Sequence, residues 1–339
     1  MVTIRDIAAQ LNLSPATVSR ALNHDTKINV LTRERVHALA AELGYAGASG
    51  RKKRKSESVV GIICPEIVSE NYSSVVEAIK NGMESKGYSC IFQITNMDAE
   101  SERESLYLLT RLNVAGIVVI AFDDASTEEL LQEFRKEHSV PVVQIFSISA
   151  CREYDSLEIS NQLASKIIVD YLYDLGHRSV AVISDGMAKN RKESICSCLE
   201  AKGIAPKKQW VVEMTDSRFE ECGYKAACEL LKLANRPTAV IATYDYIAIG
   251  AMKAFYDNGI RVPEDISVAG IDNINASQYT YKGLTTVSMP HADQGQIASR
   301  ILVDRIQNDK GRVAIQHVSL NPELVIREST APISPEQKN

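Results

Sequence analysis

The side chains that could carry out covalent chemistry are scattered along this chain of 339 residues. From residue 59 onward there is no phosphate-binding glycine loop, no Gly-x-Ser-x-Gly motif and no His-Glu-x-x-His zinc motif. The seven cysteines form no Cys-x-x-Cys pair, and their odd number does not close a disulfide framework. His177 lies in a Gly-His-Arg turn, where a packing or capping role is more frequent than catalysis. We therefore expect no enzyme activity, no metal and no cofactor.

Positive and negative charges are divided unevenly along the chain. The net charge is −5, yet residues 1–58 hold ten Lys or Arg against five Asp or Glu, so the remainder carries −10. A basic segment on an acidic body indicates that the segment meets a polyanion and the body does not. Five of the ten Lys or Arg residues form one run that suits the phosphate backbone of DNA: Arg51, Lys52, Lys53, Arg54 and Lys55. A solvated basic linker is an equal alternative for this run.

Three short helices are predicted in the first 44 residues. Thr3 and Ser14 are good N-caps, and Pro15 suits a first helical position. Thr32 is predicted to cap the third helix and Gly44 to end it. A tight turn between the first two helices makes a helix-turn-helix unit, whose second helix enters the major groove of DNA.

The second helix presents a face that could read bases. With the apolar stripe directed inward, Pro15, Ala16 and Arg20 point outward; the first two suit thymine methyl groups, and Arg20 suits guanine. The alternative is that these residues form an ordinary three-helix domain that does not bind DNA and whose polar face is solvated. Further side chains near the helix ends suit contacts to phosphates: Thr3, Thr17, Ser19, Asn23, Lys27, Asn29 and Thr32.

From residue 59 the sequence alternates short apolar runs with amphipathic stretches. Strands are predicted at 59–64, 89–94, 116–121, 142–146, 179–184, 239–242 and 266–271, and helices at 73–86, 101–113, 127–136 and 161–175. This alternation is typical of parallel sheets in an α/β protein, and about 280 residues are enough for two lobes. Ligands of such sheets bind beyond the carboxyl ends of the strands.

Both parts of the sequence resemble the lactose-repressor (LacI/GalR) family. The likeness lies in residues 3–8 (TIRDIA), 14–23 (SPATVSRALN) and 32–36 (TRERV), and in 175–181 (LGHRSVA), 247–252 (IAIGAM), 262–272 (VPEDISVAGID) and 284–287 (LTTV). The resemblance implies an all-α helix-turn-helix DNA-binding head and an α/β two-lobed, periplasmic-binding-protein-like effector domain with parallel sheets. It also implies that Pro15, Ala16 and Arg20 read bases in a pseudo-palindromic double-stranded operator, bound by a homodimer or a tetramer.

The segment after the third helix departs from the family pattern. Members typically have a short hinge helix there, whose leucine enters the minor groove. Residues 46–50 of this chain read AGASG instead, and the basic run follows. The composition favours a flexible linker without an apolar wedge.

The resemblance also points to a small-molecule site between the lobes. Arg191 matches the arginine that binds effectors across the family, and Asp272 matches an effector-binding aspartate. Charged and amide groups with aromatic faces suit a sugar, which adds the other candidates: Asn71, Tyr72, Phe146, Phe219, Tyr244 and Asp245.

Three departures affect which effector is expected. Phe146 and Ser160 stand where aspartates are frequent, and Met289-Pro290 stands where a glutamine is common. The basic hinge resembles the subgroup that includes the evolved β-galactosidase repressor, which makes a galactoside the first candidate. A more apolar pocket or a different sugar remains an alternative.

The resulting prediction is a cytoplasmic transcriptional regulator, by family habit a repressor. The expected parts are a DNA-binding domain at 1–46, a linker at 47–58, an effector domain at 59–330 and a flexible tail at 331–339. One lobe would combine 59–158 with 289–320, and the other 159–288 with 321–330. A sugar-binding receptor or an α/β enzyme without a DNA-dependent role is the alternative. No apolar run is long enough for a membrane helix, and Arg5 and Asp6 argue against a signal peptide.

Overall fold

Helix caps and apolar spacing determine the fold of the N-terminal segment. The computed structural model describes residues 3–22, 28–43, 59–121, 124–146, 154–308 and 314–333. Three helices bury one small core: α1 (Ile4–Leu11), α2 (Pro15–Leu22) and α3 (Val30–Glu42). Its members are Ile7, Ala8, Val18, Ala21, Val36 and Ala40. The chain divides into two compact units, Met1–Val59 and Val60–Asn339.

Two of the three predicted caps are confirmed. Thr3 and Asp6 form a reciprocal capping box at α1, and the Ser14 hydroxyl accepts a hydrogen bond from the Thr17 backbone N–H at 3.0 Å. The cap predicted at Thr32 is wrong, because α3 begins at Val30 and Asn29 Oδ1 accepts from the Leu31 N–H at 2.9 Å. The exposed Val30 and Leu31 form an extra half turn. Gly44, predicted to end this helix, lies outside the described residues.

The second unit contains two sheets, each with helices packed on it. The first sheet has the order β11-β5-β4-β3-β1-β2 and is built from β1 (Val59–Cys64), β2 (Ser89–Ile94), β3 (Ile117–Ile120), β4 (Val142–Ile145), β5 (Asp155–Ile159) and β11 (His317–Leu320). Its helices are α4 (Glu70–Glu84), α5 (Ala99–Arg111), α6 (Asp124–Glu137) and α11 (His291–Gln307). We call this the first lobe. The pairs β1–β3, β3–β4, β4–β5 and β5–β11 are parallel.

The second lobe repeats the arrangement around the sheet order β12-β10-β9-β8-β6-β7. Its strands are β6 (Val180–Asp185), β7 (Val211–Met214), β8 (Ala239–Ala242), β9 (Ser267–Asp272), β10 (Thr285–Ser288) and β12 (Glu323–Val325). Its helices are α7 (Asn161–Asp174), α8 (Lys189–Ala201), α9 (Phe219–Leu231) and α10 (Asp245–Asp257). The pairs β6–β7, β6–β8, β8–β9 and β9–β10 are parallel, and β10–β12 is antiparallel.

The chain passes between the lobes at three places: from β5 to α7, from β10 to α11 and from β11 to β12. All seven predicted strands are present within about two residues of their expected bounds, as are the four predicted helices within about three. Strands β5, β7, β10, β11 and β12 were not among the predicted strands. The alternating α/β fold with largely parallel sheets is therefore confirmed.

Helices α9 and α10 approach each other through two glycines. A Cβ atom at Gly223 would lie 1.9 Å from the Ile247 carbonyl oxygen, and one at Gly250 would lie 1.9 Å from the Glu220 carbonyl oxygen. Any larger residue at these positions would force the two backbones apart.

The predicted flexible tail begins too early. Ala331 N donates to Ser267 Oγ at 3.1 Å, and Ile333 N donates to the Leu175 carbonyl at 3.0 Å. His177 Nε2 lies 3.1 Å from the Ala331 carbonyl oxygen, so His177 has the structural role expected of it. Residues 331–333 thus belong to the second lobe. Within the described residues, no helix has the length and apolar character needed to cross a membrane.

Candidate ligand cleft and nucleic-acid interface

The residues predicted to read bases lie together on one exposed face of α2. Pro15, Ala16 and Arg20 are exposed, whereas Val18 and Ala21 on the opposite side are fully buried. The core of the head thus fixes which side of α2 is free to meet DNA.

The residues predicted to contact phosphates divide into two sets. Thr3 and Asn29 are exposed and their side chains cap helices, while Thr17, Ser19 and Thr32 are half-buried. The Thr17 and Ser14 hydroxyls are hydrogen-bonded to each other at 2.8 Å. The other predicted residues lie outside the described part of the chain: Asn23, Lys27, Arg51, Lys52, Lys53, Arg54 and Lys55.

A cavity of about 360 Å³ lies between the two lobes of the second unit. Its lining comes mainly from segments that follow the carboxyl ends of parallel strands, where ligands of such sheets bind. Six of the eight residues predicted to bind the effector line it together: Asn71, Tyr72, Phe146, Arg191, Phe219 and Tyr244.

Asp272 lies behind this cavity and holds Arg191 in place. Arg191 donates from one guanidinium nitrogen to Asp272 Oδ1 at 3.0 Å and to the Thr243 carbonyl at 2.8 Å, and its Nε donates to Asn161 Oδ1 at 3.0 Å. Burial opposes ionisation of Asp272, but the charge of Arg191 and the hydrogen bond from Asn71 hold its pKa below the usual value. Asp272 borders a smaller cavity of about 180 Å³ instead.

Asp245 is not a cleft residue, which corrects the prediction made for it. Its carboxylate is fully buried and accepts hydrogen bonds from Ser277 Oγ at 2.5 Å, Thr286 Oγ1 at 2.6 Å and the Ile274 N–H at 3.1 Å. Asp245 therefore supports the loop after β9. Its neighbour Tyr244 is the member of the pair that reaches the cavity.

Aromatic rings from both lobes surround the cavity. Tyr72 packs edge-on against Phe146 with ring centroids 5.6 Å apart, and Phe219 contacts Tyr246 at 5.1 Å and Tyr244 at 6.2 Å. Phe146 and Phe219 have φ angles of 65° and 55°, a left-handed conformation that costs free energy for a bulky residue. The fold thus holds these two rings in a strained position at the edge of the cavity.

Sequence reasoning missed the polar contacts that join the lobes. Arg218 donates to both carboxylate oxygens of Glu66, at 3.1 and 3.4 Å. Glu70 accepts from the Asn275 N–H at 2.8 Å, and Asn71 Nδ2 donates to Asp272 Oδ2 at 2.7 Å. Glu66 could have been predicted from the sequence, because it follows the carboxyl end of β1 at the edge of the sheet that borders the ligand site.

The described residues contain no group of three or more His, Cys, Asp or Glu side chains placed to hold a metal ion. The cleft combines guanidinium, carboxylate, amide and aromatic groups from two lobes. Such a lining can enclose a small polar molecule and respond to it by a change in lobe arrangement.

A helix-turn-helix head followed by a two-lobed ligand-binding body defines the class of protein. Residues 3–47 match the model of bacterial regulatory proteins of the lacI family, and residues 169–330 match that of a periplasmic binding protein-like domain. The HTH-type transcriptional repressor PurR of Proteus mirabilis is 31% identical over 339 residues, which cover 98% of this chain and 97% of that protein. The chain belongs to the LacI family and is a DNA-binding transcriptional regulator.

Solved structures agree with this assignment. The lac repressor dimer bound to operator and the anti-inducer ONPF aligns with a TM-score of 0.75 at 24% identity, covering 97% of this chain and 99% of that one. A LacI family regulator from Enterococcus faecium with bound ribose aligns with a TM-score of 0.69 at 25% identity, covering 81% and 100%. The predicted family and fold are confirmed.

Proposed function

We propose that this protein is a repressor whose affinity for a pseudo-palindromic operator is controlled by a sugar bound between the lobes. The observation that carries the proposal is the cavity itself, because one pocket gathers Arg191, three tyrosines and two phenylalanines from both lobes. A ligand that contacts both lobes favours the arrangement in which its contacts are complete. The ribose bound to the Enterococcus faecium relative supports a sugar, and a galactoside is the first to test.

The proposed molecule is a homodimer, with a tetramer as the larger assembly. Two α2 helices then occupy two half-sites of the operator, in keeping with the twofold symmetry of the protein. The proposed parts are a DNA-binding domain at 1–46, a linker at 47–58 and an effector domain at 59–333. A protein that binds DNA in a bacterium works in the cytoplasm, which is the proposed location.

Removing Arg191 tests the effector site. Arg191→Ala leaves the buried Asp272 without its cation, and Phe219→Leu removes a ring while it keeps an apolar side chain. Both variants should bind operator without ligand as the wild type does but lose the response to sugar, as measured by gel shift across a panel of sugars. Arg103→Ala, on the surface of α5, is the matched control. A sugar response that survives in both variants contradicts the proposed site.

Base reading and backbone binding can be separated in the head. Arg20→Ala should weaken binding by about 1–3 kcal/mol at one base position, because a bidentate contact to guanine is lost. Lys53→Ala should weaken binding to all sequences alike and reduce the salt dependence. Operator variants measured at two salt concentrations distinguish the two effects. An equal loss on every operator for Arg20→Ala would contradict its assignment to base reading.

A further inference from the structure

The first turn of α8 is cationic and borders the cavity. Helix α8 begins with Lys189-Asn190-Arg191-Lys192, has no acidic residue in its first turn, and its N-cap Ala188 supplies no side-chain hydrogen bond. A helix N-terminus already carries partial positive charge, so cations in its first turn add to the attraction of this end of the helix for an anion. Lys192 is paired with Glu213 at 2.6 Å, but Lys189 forms no ion pair with any described residue.

The backbone of the same turn offers hydrogen-bond donors. Lys192 N donates to the Ala188 carbonyl, so the intrahelical bonds begin at the fourth residue of α8. The three preceding N–H groups have no intrahelical acceptor. Residues 187–191 line the cavity, which brings this end of the helix to the ligand site. The combination resembles the way helix N-termini bind phosphate and carboxylate groups.

His291 supplies a second and independent observation from the first lobe. Its side chain is only 8% exposed, it lines the same cavity, and neither ring nitrogen has a hydrogen-bond partner among the described residues. The nearest charged oxygen, Asp272 Oδ1, is 3.8 Å from Nε2, which is too long for a hydrogen bond. A buried polar group without a partner is costly, so His291 is placed to bind something the cavity receives.

The carboxylates near the cavity are largely committed to other groups. Glu66 is bound by Arg218, and Asp272 by Arg191 and Asn71. Among the described acidic residues of the lining, Glu158 alone has no such partner. A neutral polyol needs acceptors as well as donors, whereas an oxyanion needs donors only. The uncommitted groups at the first turn of α8 include the Lys189 ammonium and the free backbone N–H groups, all of which are donors.

We propose that the effector is an anionic sugar derivative whose carboxylate or phosphate binds at the first turn of α8 and Lys189. Its ring lies among the aromatic side chains, and His291 donates to it from the first lobe. The inference rests on the proposed function, since it specifies the ligand of the same cleft. It adds a requirement for negative charge that a neutral galactoside does not meet.

Calorimetry on the full chain tests this proposal with four probes: galactose, galacturonate, galactose 6-phosphate and inorganic phosphate. We expect one of the two sugar anions to bind at least ten-fold more tightly than galactose and than inorganic phosphate. Preference for galacturonate or for galactose 6-phosphate identifies the anionic group. Lys189→Gln should reduce the affinity for that anion about ten-fold and leave that for galactose unchanged, whereas the exposed Lys208→Gln in the same lobe should leave both unchanged.

The alternative outcomes separate this inference from the proposed function. If galactose binds as tightly as the two anions and alters operator binding, the requirement for charge is wrong and the sugar-controlled repressor stands. If an anion binds but Lys189→Gln and Lys208→Gln have equal effects, the assignment to the α8 turn is wrong. If no sugar binds or alters operator binding, the proposed function fails, and the inference fails with it.

Discussion

The buried carboxylate of Asp245 should make the stability of the protein depend on pH. Burial, and then the nearby charge of Asp272, raise the pKa of Asp245 from 3.8 to about 7. An acid with a raised pKa stabilises the fold in its protonated form. Its contribution is complete below about pH 4 and is lost as the pH rises through 7. Linkage between these two values gives a loss of about 2–3 kcal/mol from pH 5 to pH 8.

Asp245→Asn removes the titration but keeps the size of the side chain, and the Asn oxygen can still accept from the Ile274 N–H. The wild type should therefore lose about 2–3 kcal/mol of stability between pH 5 and pH 8 that the variant does not lose. The stability of the variant relative to the wild type increases by the same amount over this range. Urea unfolding at four pH values in this range measures the difference. Asp304→Asn changes an exposed carboxylate on α11 and is the control. A difference for Asp245→Asn that stays constant across the range would falsify the reasoning.

Two further predictions concern packing and capping. Gly223→Ala should lower the free energy of unfolding by about 1–3 kcal/mol or more, because its Cβ would lie 1.9 Å from the Ile247 carbonyl oxygen. Gly186→Ala is the control and should change the free energy of unfolding little, since its nearest neighbour would be 3.9 Å away. Equal urea midpoints for the two variants would contradict the packing argument. Thr3→Ala removes the hydroxyl that accepts from the Asp6 N–H and should lower the stability of α1 by about 1 kcal/mol. Amide hydrogen exchange in α1 of the full chain should then become roughly five-fold faster. Unchanged exchange would show that the cap does not limit the opening of this helix.

The sequence predicted the strands that lie inside the sheets better than those at the edges. Strands β3 and β8 are four buried apolar residues each, and such runs are visible without a structure. Strands β11 and β12 lie at sheet edges and are half-exposed, so they show no continuous apolar run. Strand β5 was not predicted because it begins with polar residues, although it is buried. Its Asp155 is bound by Arg305, which lies 150 residues away in the chain. A partner at that distance leaves no local pattern.

The cleft was predictable to the extent that it follows the ends of strands. Tyr72 was found in this way, Arg191 through the family resemblance and Phe219 as an aromatic face suited to a sugar, and all three line one cavity. The Glu66–Arg218 contact joins residues 152 apart and depends on how the lobes meet. Tyr244 and Asp245 were not distinguished because they are adjacent, and only the start of α10 determines which one faces the cavity.

The discontinuity of the first lobe has a consequence for biosynthesis. Helix α4 buries Val75, Ile79 and Met83, and α11 packs so closely on α4 that a Cβ at Gly295 would lie 2.6 Å from the Val75 carbonyl oxygen. More than 200 residues separate the two helices in the chain, and a ribosome adds about 5–20 residues per second. The side of α4 that packs against α11 therefore stays uncovered for roughly 10–40 s in each round of synthesis. The second lobe can complete most of its sheet during that interval, so the first lobe begins synthesis before the second lobe but reaches its final form after it.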